Sequence, residues 1–185
     1  MIISAAIFEA YLKCPSKSWF LFLGKKGDAN IYLDFVRNQS SVYHAAGLER
    51  LMVKIQQSEC GVMPSAPVNI KTATGLLAVD FVATKDNLES RLHAVERVPS
   101  NGQGKPVQFI PIRFIYINKL TKGDKLILAF DALVLSEVLK IEVSHGKIIY
   151  GHSYTTLKIK LSALTGEVRK LTGKIAKLLF PSVPI

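Results

Sequence analysis

The residues able to do chemistry are concentrated between Arg91 and Glu137. His93 and Glu96 fall three apart in the apolar segment Leu92-His-Ala-Val-Glu-Arg-Val98, and Arg113 sits in a second one, Val107-Gln-Phe-Ile-Pro-Ile-Arg-Phe-Ile115. A carboxylate beside an imidazole can ligate a cation or move a proton. Strand geometry tempers that reading, because positions three apart point to opposite faces, and His93 is read as an ordinary histidine. Asp131 is an acid inside the apolar run Leu126 to Leu135. A buried carboxylate needs a hydrogen-bond or charge partner, and Arg113 is the candidate for a structural ion pair. His44, His145 and His152 lie far apart and form no ligand spacing. Gly102-Gln-Gly104 lacks the helix and spacing of a nucleotide-binding loop and reads as a turn.

The elements that must position these residues follow from periodicity. Strands are expected at 75–83, 91–98 and 107–117, with the turn-rich Pro99 to Pro106 between the last two. A helix apolar almost all round is expected over 121–139, which places it inside the domain. A hairpin-like pair, 146–151 and 155–161, crosses Gly151-His-Ser-Tyr154, and a final helix over 162–179 is basic on one side. Residues 3–22 read as two short helices, the first capped by Ser4 and the second begun by Pro15. Residues 29–57 read as one long helix or a kinked pair, with Gly47 counting against an unbroken rod. Residues 60–67 are a loop punctuated by Pro64 and Pro67. Trp19, Phe20 and Phe22, at helical spacing, are expected in the core rather than on a base-stacking surface.

The chain of 185 residues is long enough for one domain with a real core, with residues 1–60 as a helical lobe and 70–180 as an α/β core. Its apolar runs are too short and too interrupted to span a bilayer, and Glu9 arrives too early for a secretory signal. A cytoplasmic protein is expected. Cys14 and Cys60 are expected as buried free thiols, and two cysteines alone cannot complete a tetrahedral zinc site. The net charge of +10 is unevenly spread: residues 1–90 carry 9 Lys/Arg against 8 Asp/Glu, and residues 91–185 carry 15 against 6. That imbalance favours a polyanionic partner, with a membrane surface disfavoured because the basic residues are scattered.

Several segments, taken in order, resemble the RecB-like, CRISPR-associated exonucleases of the PD-(D/E)XK nuclease superfamily. Phe8-Glu-Ala-Tyr-Leu-Lys-Cys-Pro-Ser-Lys-Ser-Trp19 is similar to the family's Tyr-x-x-Cys-Pro-x-Lys entry helix. His93-Ala-Val-Glu-Arg-Val98 resembles its Gly-x-Ile-Asp-Arg-Val strand, and Phe109-Ile-Pro-Ile-Arg-Phe114 its Val-Pro-Val-Glu-Tyr-Lys strand. Ala129 to Glu137, then Gly146-Lys-Ile-Ile-Tyr-Gly151, resemble the helix and strand that close the core. The resemblance implies two acids holding Mg or Mn, and a lysine stabilising developing charge during phosphodiester cleavage. Glu96 matches the first acid, but Arg113 stands in place of the second and Ile115 in place of the lysine. Asp80 as a second metal ligand and Lys119 as the lysine would be the replacements. Cys14 matches the N-terminal ligand of the family's iron–sulfur cluster, and this chain alone offers no set of C-terminal cysteines, so no cluster is expected from it.

The resulting expectation is an α/β, restriction-endonuclease-like mixed sheet flanked by helices, with an N-terminal helical lobe. It would bind nucleic acid, DNA foremost, as a degenerate and weakly active or inactive nuclease domain. Phosphate contacts are expected from Arg97, Lys105, Arg113, Lys119, Lys158, Lys160, Arg169 and Lys170. The alternatives are a divergent metal-dependent DNA nuclease using Glu96, Asp80 and Lys119, and an interaction module that joins a second copy or another protein.

Overall fold

The computed structural model describes residues 2–25, 27, 30–56, 62–63, 70, 75–99 and 107–180. The chain starts with a two-residue strand, β1 (Ile3–Ser4), and two short helices, α1 (Ala5–Lys13) and α2 (Pro15–Phe22). Ser4 caps α1 by accepting the Ile7 N–H, and Pro15 opens α2 where its missing N–H costs nothing. Next come α3 (Ile31–Gln56) and the strands β2 (Val62–Met63), β3 (Leu77–Lys85), β4 (Leu88–Val98) and β5 (Gln108–Ile115). The chain continues through α4 (Lys122–Leu139), β6 (His145–Tyr150), β7 (Thr155–Lys160) and α5 (Ser162–Leu179). The strand–strand–strand–helix–strand order expected from the sequence is β3-β4-β5-α4-β6. The short strands β1 and β2 carried no sequence signal, and β4 begins three residues before its expected start at Arg91.

The sheet runs β2-β3-β4-β5-β6-β7, with β1 joining β4 in parallel. It is mixed: β3, β4 and β5 are antiparallel, β5 and β6 parallel, and β6 and β7 antiparallel. One face packs α1, α4 and α5, and its core holds Phe8, Phe81, Phe130, Leu128 and Leu135. The Thr121–Asp124 capping box starts α4, whose side chains from Leu126 to Leu135 are all buried. The other face packs α3 through a smaller cluster of Tyr43, Leu77, Ala94, Ile112, Phe114 and Ile149. No helix among the described residues is long and apolar enough to cross a membrane.

Gly47 does not break α3. A Cβ there would run into the Phe114 ring, so the glycine lets the helix seat closely against β5. The helix is about 39 Å long at 1.5 Å per residue. Its first turns project past the sheet, leaving Ile31, Tyr32, Leu33, Phe35 and Val36 exposed. Cys14 is exposed and free, not a buried hydrophobe, because it lies at the junction between α1 and α2. The backbone N–H groups of Lys17 and Ser16 lower its thiol pKa. Phe20 also departs from the expected core position, being half exposed, whereas Phe22 packs edge-on against Phe180. Cys60, the 60–67 loop apart from Val62 and Met63, and Gly102-Gln-Gly104 lie outside the described residues.

Candidate functional site

The geometry of the sheet centre is set by a gap between β4 and β5. Their ladder runs from Val98↔Gln108 to Ala94↔Ile112 and stops there, while β5 stays paired with β6 through Ile115↔Tyr150. Farther along, the same β4 edge takes β1 at Leu88 and Glu89. Residues 90–93 of β4 and 113–115 of β5 therefore flank an opening. On the other side of β4, Asp80 in β3 has φ 47° and forms no bridge with His93 opposite it. The pair Val79↔Ala94 belongs to the α3-side core, whereas Phe81↔Leu92 belongs to the α4-side core. The sheet thus changes the face it presents across the irregular Asp80–His93 step.

The α4 side of this opening is closed by an ion pair. The Arg113 guanidinium donates from Nε and Nη2 to the two Asp131 carboxylate oxygens at 2.8 and 2.9 Å, and Ser90 Oγ donates to the same carboxylate. Asp131 is 2% exposed and the Arg113 side chain 14%. Burial pushes the Asp131 pKa up, opposed by the guanidinium and the Ser90 hydroxyl. The pairing inferred from the two residues' settings is present. It also removes Arg113 from the expected phosphate contacts, because its fork is already committed to a buried carboxylate.

The α3 side is closed by histidines. His93 Nδ1 accepts the Phe114 N–H at 3.0 Å, taking the place of the missing ladder bond. Its ring lies 4.3 Å from that of His44 on α3. Burial, with Arg113 and His44 adding to it, lowers the His93 pKa to about 2. Burial lowers the His44 pKa too, and Asp80 opposes it from 3.9 Å away. The expectation that His93 and Glu96 face opposite ways fails here. The face switch turns both toward α3, His93 onto His44 and Glu96 into the α3 cleft. Sequence spacing could not have joined His44 to His93, since the helix-to-strand contact alone unites them.

That cleft, about 920 Å³, lies between the C-terminal half of α3, the sheet and the β6–β7 turn. Glu96 and Lys147 form an ion pair on its floor, and Arg50 and Lys54 line its α3 wall. Asp80 and Glu96 do not come together. Asp80 lies opposite His93 and Glu96 opposite Leu77, three positions or about 10 Å along the strand. Lys119 is exposed beyond the end of β5, whereas Glu96 pairs with Ile110, five residues or about 17 Å before that end. Among the described residues no three His, Cys, Asp or Glu side chains are grouped to hold a metal ion. The geometry therefore does not assemble the Glu96, Asp80 and Lys119 centre expected for Mg or Mn.

The remaining basic residues divide between the two faces of the sheet. Lys158 and Lys160 are exposed on β7 and alternate with Leu157 and Ile159, which pack on the α4-side core. They therefore face the α3 side, Lys158 beside Lys147 and Lys160 beside His145. Arg169 and Lys170 are exposed on α5, across the sheet, where Arg169 bonds Glu137 at 3.2 Å. Arg97 pairs across the ladder with Phe109 of the α4-side core, so it leans away from the cleft, and its buried Nε has no hydrogen-bond partner among the described residues. Lys105 lies outside the described residues. Arg50 and Lys147 were not among the expected contacts. Lys147 lay in a segment read only as a strand, and nothing local marked Arg50 as a residue facing the sheet.

No family model matches the sequence, and no curated protein matches it. Among solved structures, one described as "Crystal structure of SSO0001" is similar at 12% identity, covering 96% of this chain and 76% of that chain, with a TM-score of 0.43.

Proposed function

We propose that the protein binds nucleic acid, through its phosphate backbone, on the α3 side of the sheet. The carrying observation is the run of cations there. Arg50 and Lys54 stand on the cleft wall, Lys147 on its floor, and Lys158 and Lys160 on the open strand beside it. Three cations in the cleft, of which Lys147 is paired with Glu96, and two more on the strand beside it, against Glu49 and Glu96, suit a polyanion held by charge rather than by base identity. The resemblance to RecB-like nucleases fits this reading as a frame that binds without cutting. Glu96 is neutralised by Lys147, and Arg113 is held by Asp131.

The test uses labelled single- and double-stranded DNA with magnesium, manganese or chelator. Binding should weaken steeply as salt rises, chelator should leave it unchanged, and the DNA should remain intact. Glu96→Gln separates the two chemistries. For a binding surface, it removes a negative charge, frees Lys147 and tightens binding. For a nuclease, it abolishes metal-dependent cutting. Cutting by the wild type that disappears in Glu96→Gln would replace this proposal with the enzyme reading.

A second reading is supported by the projecting start of α3, where Ile31 is 91% and Phe35 56% exposed. On this reading the arm packs against the same arm of a second copy. The arm is locally neutral, because Asp34 and Arg37 pair at 3.1 Å, and the same two residues can pair crosswise in an antiparallel helix pair. Light scattering should then show a dimer that Phe35→Glu converts to a monomer. A monomeric wild type refutes this reading.

A further inference from the structure

Arg50 differs from the other exposed cations in how it is held. Its guanidinium carbon sits 3.8 Å from the centroid of the Tyr154 ring. The opposite face of that ring stacks on Tyr43, with centroids 4.5 Å apart and planes 9° apart. Tyr43 is buried, and its hydroxyl donates to the Gly151 carbonyl at 2.9 Å. Tyr154 itself sits at φ 52° at the end of the β6–β7 turn, next to the ladder pair Tyr150↔Thr155. The guanidinium plane is therefore fixed by a three-layer stack rooted in the core. An arginine usually loses much side-chain freedom on engaging a ligand, and here most of that ordering is already done.

The guanidinium makes no ion pair or hydrogen bond with another described residue. Its in-plane N–H groups remain available on the cleft wall. Lys54 is one turn farther along the same face of α3, and the Ser153 and Thr156 hydroxyls line the cleft beside Tyr154. A rigid planar fork, a mobile ammonium and hydroxyl donors together match a phosphate, which accepts two parallel bonds from an arginine.

Two further observations narrow the ligand. A cleft of about 920 Å³ is in the size range of small-ligand sites, so it admits a few nucleotides of one strand rather than the body of a duplex. Among the described residues Tyr154 is the only aromatic one lining it, and both faces of its ring are already covered. No ring among the described lining residues is left for a base to stack on, which removes the usual source of base preference in single-strand binding.

We infer that the cleft is a phosphate site for single-stranded nucleic acid, with Arg50 as its fixed fork, Lys54 as a second cation, and no base-stacking contact. This deepens the proposed function and rests on it. Tyr154 is a positioning residue that acts through Arg50.

The experiment measures the affinity of wild type, Arg50→Ala, Arg50→Lys and Tyr154→Leu for labelled oligo-dT, oligo-dA and oligo-dC at several salt concentrations. Circular dichroism and melting serve as the check on folding. Arg50→Ala should weaken every strand alike by about tenfold, and should reduce the salt slope by about 0.7, the value for one phosphate contact on a single strand. Arg50→Lys should fail to restore affinity, because a lysine keeps the charge but has neither fork nor stack. Tyr154→Leu should weaken binding while Arg50 remains. The three homopolymers should bind wild type within a fewfold of one another, and duplex should compete poorly. Binding untouched by Arg50→Ala and Arg50→Lys would overturn the phosphate site and leave the broader reading standing. A strong preference for one base would overturn the absence of stacking. No binding of any strand by wild type would overturn the broader reading and this inference together.

Discussion

If Arg113 and Asp131 form a buried structural pair rather than part of a ligand surface, removing either partner alone must be far worse than removing both. Arg113→Met leaves a 2% exposed carboxylate with only the Ser90 hydroxyl as partner, and Asp131→Leu leaves a guanidinium whose side chain is 14% exposed with no acceptor. Breaking such a pair from one side costs about 3–5 kcal/mol, because an uncompensated charge stays buried. Replacing both by apolar residues of similar size removes the two desolvation costs at once, and is neutral to stabilising by about 1–4 kcal/mol in comparable cases. The double variant still leaves the fully buried Ser90 hydroxyl without its acceptor, at about 1–3 kcal/mol. The triple variant Ser90→Ala/Arg113→Met/Asp131→Leu should therefore return closest to wild type. Urea unfolding of wild type, both singles, the double and the triple at pH 7 gives the whole cycle. The same proteins, assayed for strand binding, should bind like wild type wherever they are folded. Single variants that each lose less than about 1 kcal/mol, or a folded Arg113→Met that binds strands far more weakly, would refute the reasoning and return Arg113 to the ligand surface.

Acid stability should report His93. Its folded pKa is about 2, while the unfolded histidine titrates near its ordinary value of about 6.5. Between those values the unfolded chain binds the extra proton, so stability is complete above pH 6.5 and falls as pH drops, by about 1.4 kcal/mol per unit. His93→Gln should unfold with a shallower pH dependence between pH 6.5 and 4.5, measured from urea midpoints; parallel profiles would show that the imidazole is not what titrates. Gly47→Ala should lower stability by about 1–3 kcal/mol through its clash with Phe114, although alanine inside a helix ordinarily gains about 1 kcal/mol over glycine. A raised melting temperature would mean that the ring has room to turn aside.

The order of elements was legible because each carries a periodicity that needs no partner to be read. The almost wholly apolar middle of α4, the alternation in β7 and the Ser4 and Pro15 signals at the starts of α1 and α2 are local properties of the chain. The Arg113–Asp131 pair was also legible, since a charge that must be buried demands a partner and few were within reach. Composition and pattern also carry the class of fold, the excess of positive charge in residues 91–185, and the absence of the expected acid and lysine at Arg113 and Ile115. The tertiary structure alone decided where those charges meet. One left-handed residue, Asp80, accompanies a change of face that strand alternation cannot anticipate, and this change brings His93 and Glu96 to the same side. A glycine in mid-helix lets α3 approach β5, and that approach sets Arg50 on Tyr154, 104 positions away in sequence. Periodicity reports which side of its own element a residue occupies. Only packing fixes which elements share a side, because that depends on long-range contacts whose partners no local window contains.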